Sequence, residues 1–221
     1  MKFEKILSIP KSLWVSLHYF PLVDAIKLPI MVRYNTKLSR LRGKVVLAGG
    51  GVRRNALSVG FGSVGIFDKT YERTVWEVNG TIELHGKAVF GHGSRICVGK
   101  EGVLSIGNNF INTAAMTIVC FRRITIGDDV TTSWNTLVMD TDFHHLVDTK
   151  SGEVKPCTKE IIIGSGVWLC TRSVILKGTS LPNGVVVAAC ALVSGRFDDE
   201  DTIIAGNPAK IKKYHHRLCT D

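Results

Sequence analysis

Hydrophobic residues recur every six positions along the second half of the chain. From Ile163 onward, the residues at that spacing are Ile163, Leu169, Ile175, Leu181, Val187 and Val193. Isoleucine, leucine and valine make up 61 of 221 residues. Six successes in one fixed register therefore have a chance of roughly 5 × 10⁻⁴, before allowing for the choice of register. Earlier stretches repeat the pattern with slips: Ile106, Asn112, Ile118 and Ile124 form one run, Ile126, Thr132, Val138 and His144 a second, and Leu84, Phe90 and Ile96 a third. A period of six fits neither an α-helix nor a simple alternating strand. It predicts short flat strands, three hexads to a coil, wound into an all-β triangular prism. Each aliphatic then points inward and stacks on its counterpart eighteen residues away. The fifth residues of successive hexads, Val167, Ser173, Thr179, Val185 and Ala191, are small or β-branched and are expected to let the corners close. Two-residue slips from Ile96 to Val98, Leu104 to Ile106 and Ile124 to Ile126 read as corners that take extra residues. The competing reading is a β-sandwich with fortuitous spacing.

The ladder is interrupted between Val138 and Ile163 by MDTDFHHLVDTKSGEVKPCTKEII, too polar for a prism interior, which predicts a protruding loop over residues 139–162. Ahead of the repeats, Leu13–Val32 is apolar and long enough to suggest a membrane span, but Pro21, Asp24, Lys27 and Pro29 argue instead for a buried or interfacial amphipathic segment. The first apolar run lacks a small-residue cleavage site, so no signal peptide is expected. The expected organisation is a basic, partly helical segment over residues 1–54, a solenoid over 55–204, and a C-terminal turn with a basic tail over 205–221.

Charge changes the picture in one respect. The formal net charge is +9, and residues 1–54 supply all of it, with eleven basic residues against Glu4 and Asp24. An expectation of polyanion binding therefore attaches to the head and not to the neutral repeats. Nucleic acid is not expected, because the interleaving of aromatic and basic residues seen in RNA-binding sheets is missing. Docking of the head to an anionic membrane surface, or to the outside of the prism, remains open. Six cysteines lie far apart without a CxxC pair. Neither a disulfide framework nor a structural zinc site is expected, and free thiols suit a cytoplasmic protein.

Hexads of the form aliphatic-Gly-x-x-small-x, the block from Ile161 through AGNPAK to Lys213, and the stretch from Leu104 to the His144–His145 pair together carry a family likeness. Over residues 80–213 the chain resembles the hexapeptide-repeat acyltransferases, which fold as a left-handed parallel β-helix, and within them the acetyl-CoA-dependent O-acetyltransferases of sugars and polysaccharide precursors. It departs from the family pattern at Leu169–Arg172, Leu181–Gly184 and Val187–Cys190, which replace glycine-rich units, and at His145, where proline is common. The resemblance implies that His144 is the general base, with Asp142 or Asp140 orienting its ring. An alcohol needs such a base, and histidine titrates in the right range. His145, Asn112 and Asn135 are candidates for contact with the acceptor, although asparagine is also favoured at tight corners. The resemblance further places Trp168, Gly164, Gly166 and Ala188 along one edge beside the pantetheine arm of acetyl-CoA, and Ala205, Gly206, Lys210 and Lys213 near its nucleotide phosphates. No metal is implied. The protein would be a cytoplasmic homotrimer with its site in a groove between subunits, attacking directly in a ternary complex. Peripheral contact with the inner face of the membrane would run through residues 1–54.

Two other functions compete. A carbonic-anhydrase-like zinc enzyme on the same fold needs three converging histidines, and the spacing of His85 and His92 does not follow that pattern. A non-enzymatic solenoid that binds a membrane or polyanion through its head is the other.

Overall fold

Leu169 lies opposite Val187, Ile163 opposite Leu181 and Ile175 opposite Val193, each pair eighteen residues apart. These are the contacts that the six-residue period demands. In the computed structural model, which describes residues 2–48, 51–62 and 64–219, the strands form three walls of nine, seven and six members. Within the walls, successive coils pair in parallel, and only the last strand, Ala209–Tyr214, folds back antiparallel on Thr202–Gly206. The chain is a left-handed parallel β-helix, the triangular prism that the hexads predict with the handedness that the family resemblance implies. The inward side chains form one continuous core from Val15 to Ile204.

The slips have a different cause from the one predicted. Ile96 and Val98 share the strand Arg95–Val98, Leu104 and Ile106 share Val103–Ile106, and Ile124 and Ile126 share Arg123–Ile126. Both members of each pair are buried. The strands alternate sides with period two, so a four-residue strand sends two residues inward and lengthens the coil without altering its corners. Ile118 consequently stacks on Ile96, twenty-two residues back, and on Val138, twenty residues ahead.

The corners follow a rule of their own. The fifth hexad residues Val167, Ser173, Thr179, Val185 and Ala191 are all buried, as expected. The residue before each, namely Gly166, Arg172, Gly178, Gly184 and Cys190, turns the chain with a positive φ of 58 to 77°. Glycine meets this need without strain, whereas a side chain in the left-handed region costs about 1–2 kcal/mol. Arg172 and Cys190, in two of the segments that depart from the family pattern, are exposed and carry that strain. Arg172→Gly and Cys190→Gly are each expected to raise stability by about 0.5–1 kcal/mol, after the greater chain entropy of glycine is deducted, as read by chemical denaturation. Along another corner, polar side chains bridge the coils: Asn108 Oδ1 accepts from the Lys87 N–H, Asp128 Oδ1 from Asn108, Ser165 Oγ from Asp128, and Asn183 Oδ1 from Ser165.

The parallel ladder starts at Ile30, well inside the predicted head. Ile30–Val32, Lys37–Arg40 and Lys44–Leu47 are its first coil, one strand in each wall. The boundary at residue 54 therefore does not separate two units. Three helices precede the coil: α1 (Lys2–Leu7), α2 (Ile9–Tyr19) and α3 (Leu22–Ala25). They close its open end. Ser8, Ser12 and Ser16, spaced four apart on one helical face, are fully buried against the first strand. Ser8 Oγ accepts from the Tyr34 N–H and Ser12 Oγ from the Val32 N–H, while Ser16 Oγ donates to the Ile30 carbonyl. A solenoid end exposes a row of unpaired backbone groups, and this serine stripe satisfies them. No helix among the described residues is long and apolar enough to cross a membrane.

Candidate functional site

Between the strands Leu137–Met139 and Ile161–Ile163 the chain leaves the prism as an antiparallel hairpin, Leu146–Val147 against Val154–Lys155, matching the predicted loop. Asp140 roots it. Its buried carboxylate accepts from the N–H groups of Phe121 and Arg122 at 2.7 and 2.8 Å, and its carbonyl accepts from the Lys159 N–H. Asp142 pairs with Lys177, whose ammonium also donates to the Pro156 and Cys157 carbonyls and so ties both stems of the loop to the prism. Neither carboxylate touches His144 among the described residues, so the orienting role is not what these two side chains do in this chain alone.

Phe143 is the special residue of the loop. It holds a φ of 61°, its N–H is capped by Thr141 Oγ1 at 2.9 Å, and its ring meets Phe121 edge-on at 5.1 Å. A bulky residue in the left-handed region is a true outlier, and such strain concentrates at functional sites. Here it turns the chain immediately before His144. The His144 ring is exposed and makes no hydrogen bond or ion pair among the described residues, while His145 Nδ1 faces the Lys155 carbonyl at 3.3 Å.

The remaining candidates divide between wall and interior. Asn112 lies inside the prism, 1% exposed, with its amide engaged by Gly91, Ser94 and Thr132. Asn135 is an exposed corner residue with φ of 58°, the conformation that favours asparagine at turns. Trp168 lies on the outside of the nine-stranded wall, where its Nε1 donates to Ser133 Oγ. Below it on the same wall the register runs Trp168, Val186, Ile203, Lys213. At about 4.8 Å per strand this track spans about 14 Å.

Gly164 and Gly166 do not share an edge with Ala188. The two glycines occupy the corner before Trp168–Leu169, where a Cβ on Gly164 would meet Pro182 at 2.6 Å. Ala188 occupies the next corner, after Val186–Val187. The expectation of one edge fails because successive corners of a three-walled coil point in different directions. Ala205 and Gly206 end the strand Thr202–Gly206, and Lys210 and Lys213 follow on its exposed antiparallel return.

The loop and the wall lie on opposite sides of one chain. The hairpin leaves from the corner between the seven-stranded and six-stranded walls, and that corner faces away from the nine-stranded wall bearing Trp168. Lys177 and Phe143 were missed in the sequence because a tie across coils and a strained φ leave no periodic trace.

Other groups do not form a centre of their own. The Cys170 thiol is pushed up to about 11 by burial, and burial also raises Cys97 and Cys120. Such thiols stay protonated near neutrality and pack as small apolar groups. Arg33 donates to His92 Nδ1 at 3.2 Å, and His85 Nε2 faces Ser105 Oγ at 3.1 Å. Among the described residues, no three histidine, cysteine, aspartate or glutamate side chains are grouped to hold a metal.

A solenoid of hexads with one histidine-bearing loop and a tryptophan-bearing wall is the framework of an acyl-transferring enzyme. Sequence relatives narrow this further. The chain is 32% identical over 147 residues to WbbJ of Escherichia coli, named as a lipopolysaccharide biosynthesis O-acetyl transferase, covering 62% of this chain and 74% of that protein. It is 29% identical over 117 residues to Rv3034c of Mycobacterium tuberculosis, an acetyltransferase by name, covering 51% of this chain and 38% of that protein. No family model matches. Two solved structures share the fold at 21% identity. The polySia-specific acetyltransferase NeuO has a TM-score of 0.62, with 87% of this chain and 90% of that one covered; the polysialic acid O-acetyltransferase OatWY has a TM-score of 0.53, with 84% and 92% covered. The chain belongs to the hexapeptide-repeat acetyltransferases and is an enzyme of that class.

Proposed function

We propose that the protein transfers acetyl from acetyl-CoA to a hydroxyl of a sugar or polysaccharide precursor, as a homotrimer whose sites lie between neighbouring copies. The observation that carries this reading is the separation of His144 from the Trp168 wall within one chain. A site using both needs the loop of one copy laid against the wall of the next. On that wall the track from Trp168 to Lys213 suits an extended pantetheine arm, and the exposed Lys210 and Lys213 can pair with phosphates at its end. The names of WbbJ, NeuO and OatWY support a glycan acceptor and an ester product.

In this mechanism His144 takes the acceptor hydroxyl proton as the oxygen attacks the thioester carbonyl. Backbone N–H groups lining the groove stabilise the oxyanion. Collapse breaks the carbon–sulfur bond, and the proton held by His144 passes to the departing thiolate, which gives an acetyl ester and a free thiol. Loop and wall hold both substrates in place, so no acyl-enzyme is formed.

Mixing two crippled parents tests the shared site. His144→Ala and Trp168→Ala, co-refolded one to one and assayed at low acetyl-CoA, should recover activity beyond either alone, because about a quarter of interfaces then carry both native residues. Activity that stays at the average of the two parents counts against a site built from two copies.

A further inference from the structure

The cap helices carry apolar side chains on the face turned away from the prism as well as beneath it. Their buried side combines Ser8, Ser12 and Ser16 with Val15, which joins the core, and their outward side carries Phe3, Ile6, Leu7, Trp14 and Leu17. Phe3 is 76% exposed and Trp14 55%. The intervals of three, four and seven residues align this outward stripe along α1 and α2. Leu22 and Val23 of α3, and Ile26 just after it, are exposed as well, the first two by 65% and 69%. An apolar face of this extent is uncommon on a free surface and marks a docking site.

Charge identifies the occupant. The head holds all of the net positive charge, and its two acids are consumed locally, since Glu4 pairs with the buried Arg33 at 2.8 Å and Asp24 with Lys27 at 2.8 Å. The exposed Lys5 and Arg54 remain beside the stripe. They flank a groove of about 400 Å³, lined by Ile6, Ile9, Met31 and Phe61, that opens next to α1. Arg54 also borders Ile26 and Lys27 of the α3 turn. Apolar side chains flanked by Lys5 and Arg54 suit the interface of an anionic bilayer, where the aromatic rings enter the headgroup boundary and lysine or arginine meets phosphate.

We propose that this helical cap is a membrane-docking face that seats the enzyme on an anionic bilayer. The direction of the stripe supports it. The serine hydroxyls bond the free edge of the first strand, so the opposite face points away along the solenoid axis. Copies packed wall to wall, on the trimer reading above, would leave their stripes facing the same way, and membrane affinity would rise through multivalency. A membrane-bound acceptor would then be met at the surface where it resides.

The full chain tested by co-sedimentation with vesicles of phosphatidylglycerol and phosphatidylcholine in equal parts should bind. Binding should fall with salt, and it should be far weaker on phosphatidylcholine alone. Lys5→Glu and Arg54→Glu should each weaken it about fivefold or more. Phe3→Ser with Trp14→Ser should abolish it while thiol release with a water-soluble acceptor stays unchanged, because these side chains are solvent-exposed. Native enzyme that releases thiol but ignores anionic vesicles would overturn docking and leave the catalytic assignment standing. A Phe3→Ser, Trp14→Ser variant that changes the native mass would also overturn it, by showing that a second copy covers the face.

Discussion

Replacing His144 with alanine is expected to lower acceptor-dependent thiol release from acetyl-CoA by about 10²–10⁴-fold, the usual contribution of a positioned general base. The fold should not notice. The ring is exposed and unbonded among the described residues, and substitutions at such positions usually stay within about 0.5 kcal/mol. Loss of activity would thus appear at an unchanged melting temperature, which separates chemistry from stability. His145→Ala is the matched control. Its ring faces the Lys155 carbonyl on the hairpin, and its removal should cost only a few-fold. If His145→Ala silences the enzyme and His144→Ala does not, the base lies one residue further on. A third variant, Phe143→Gly, relieves the left-handed strain before His144 while deleting the contact with Phe121. It should reduce kcat more than it alters the acetyl-CoA KM, since it disturbs the aim of the base and leaves the wall intact.

The sequence made the prism legible because stacking imposes the same demand at every coil. An inward aliphatic at each sixth position is repeated often enough to rise above composition, and the buried Val167, Ser173 and Ala191 sit where the period put them. Features that occur once left weaker marks. Ile96 and Val98 looked like a corner because a spacing alone does not distinguish an inserted residue from a longer strand. The left-handed corners at Arg172 and Cys190 were hidden behind residues that disfavour that conformation, so the departure from glycine was visible but its location in the turn was not. The serine stripe at positions 8, 12 and 16 was readable as a helical face, yet hydroxyls at that spacing acquire meaning only when an open sheet edge lies beneath them. At the candidate site, His144 was picked out through likeness to other enzymes and by its position in the gap in the ladder. Its separation from Trp168 follows only from which wall each belongs to, and that requires the coils to be counted in three dimensions.

Asn112 offers the opposite test, a residue whose removal should damage the fold and spare the site. Its Oδ1 accepts from the Gly91 N–H at 3.1 Å and from Ser94 Oγ at 2.8 Å, and its Nδ2 donates to Thr132 Oγ1 at 2.9 Å, all in the prism interior. It stands where the ladder otherwise calls for an aliphatic, paired with Thr132 in the next coil, so two coils exchange polar contacts in place of apolar ones. Asn112→Ala would strand the buried Gly91 N–H, leave Thr132 Oγ1 with only the Met116 sulfur, and open a cavity as well, while Ser94 Oγ keeps the Gly91 carbonyl. Each buried group left unsatisfied costs about 1–3 kcal/mol, so a loss of about 3–5 kcal/mol is expected, some 8–15 °C in Tm for a chain of this size. Asn112→Leu separates the two causes. It refills the space and matches the aliphatic pattern, but it still strands the Gly91 N–H, so it should recover part of the loss and no more. Both variants, assayed well below their melting temperatures, should keep the native acceptor KM, because a side chain 1% exposed inside the prism offers no surface to a sugar. Native melting combined with a raised acceptor KM would instead place Asn112 at the acceptor, and the interior network would then have to open during turnover.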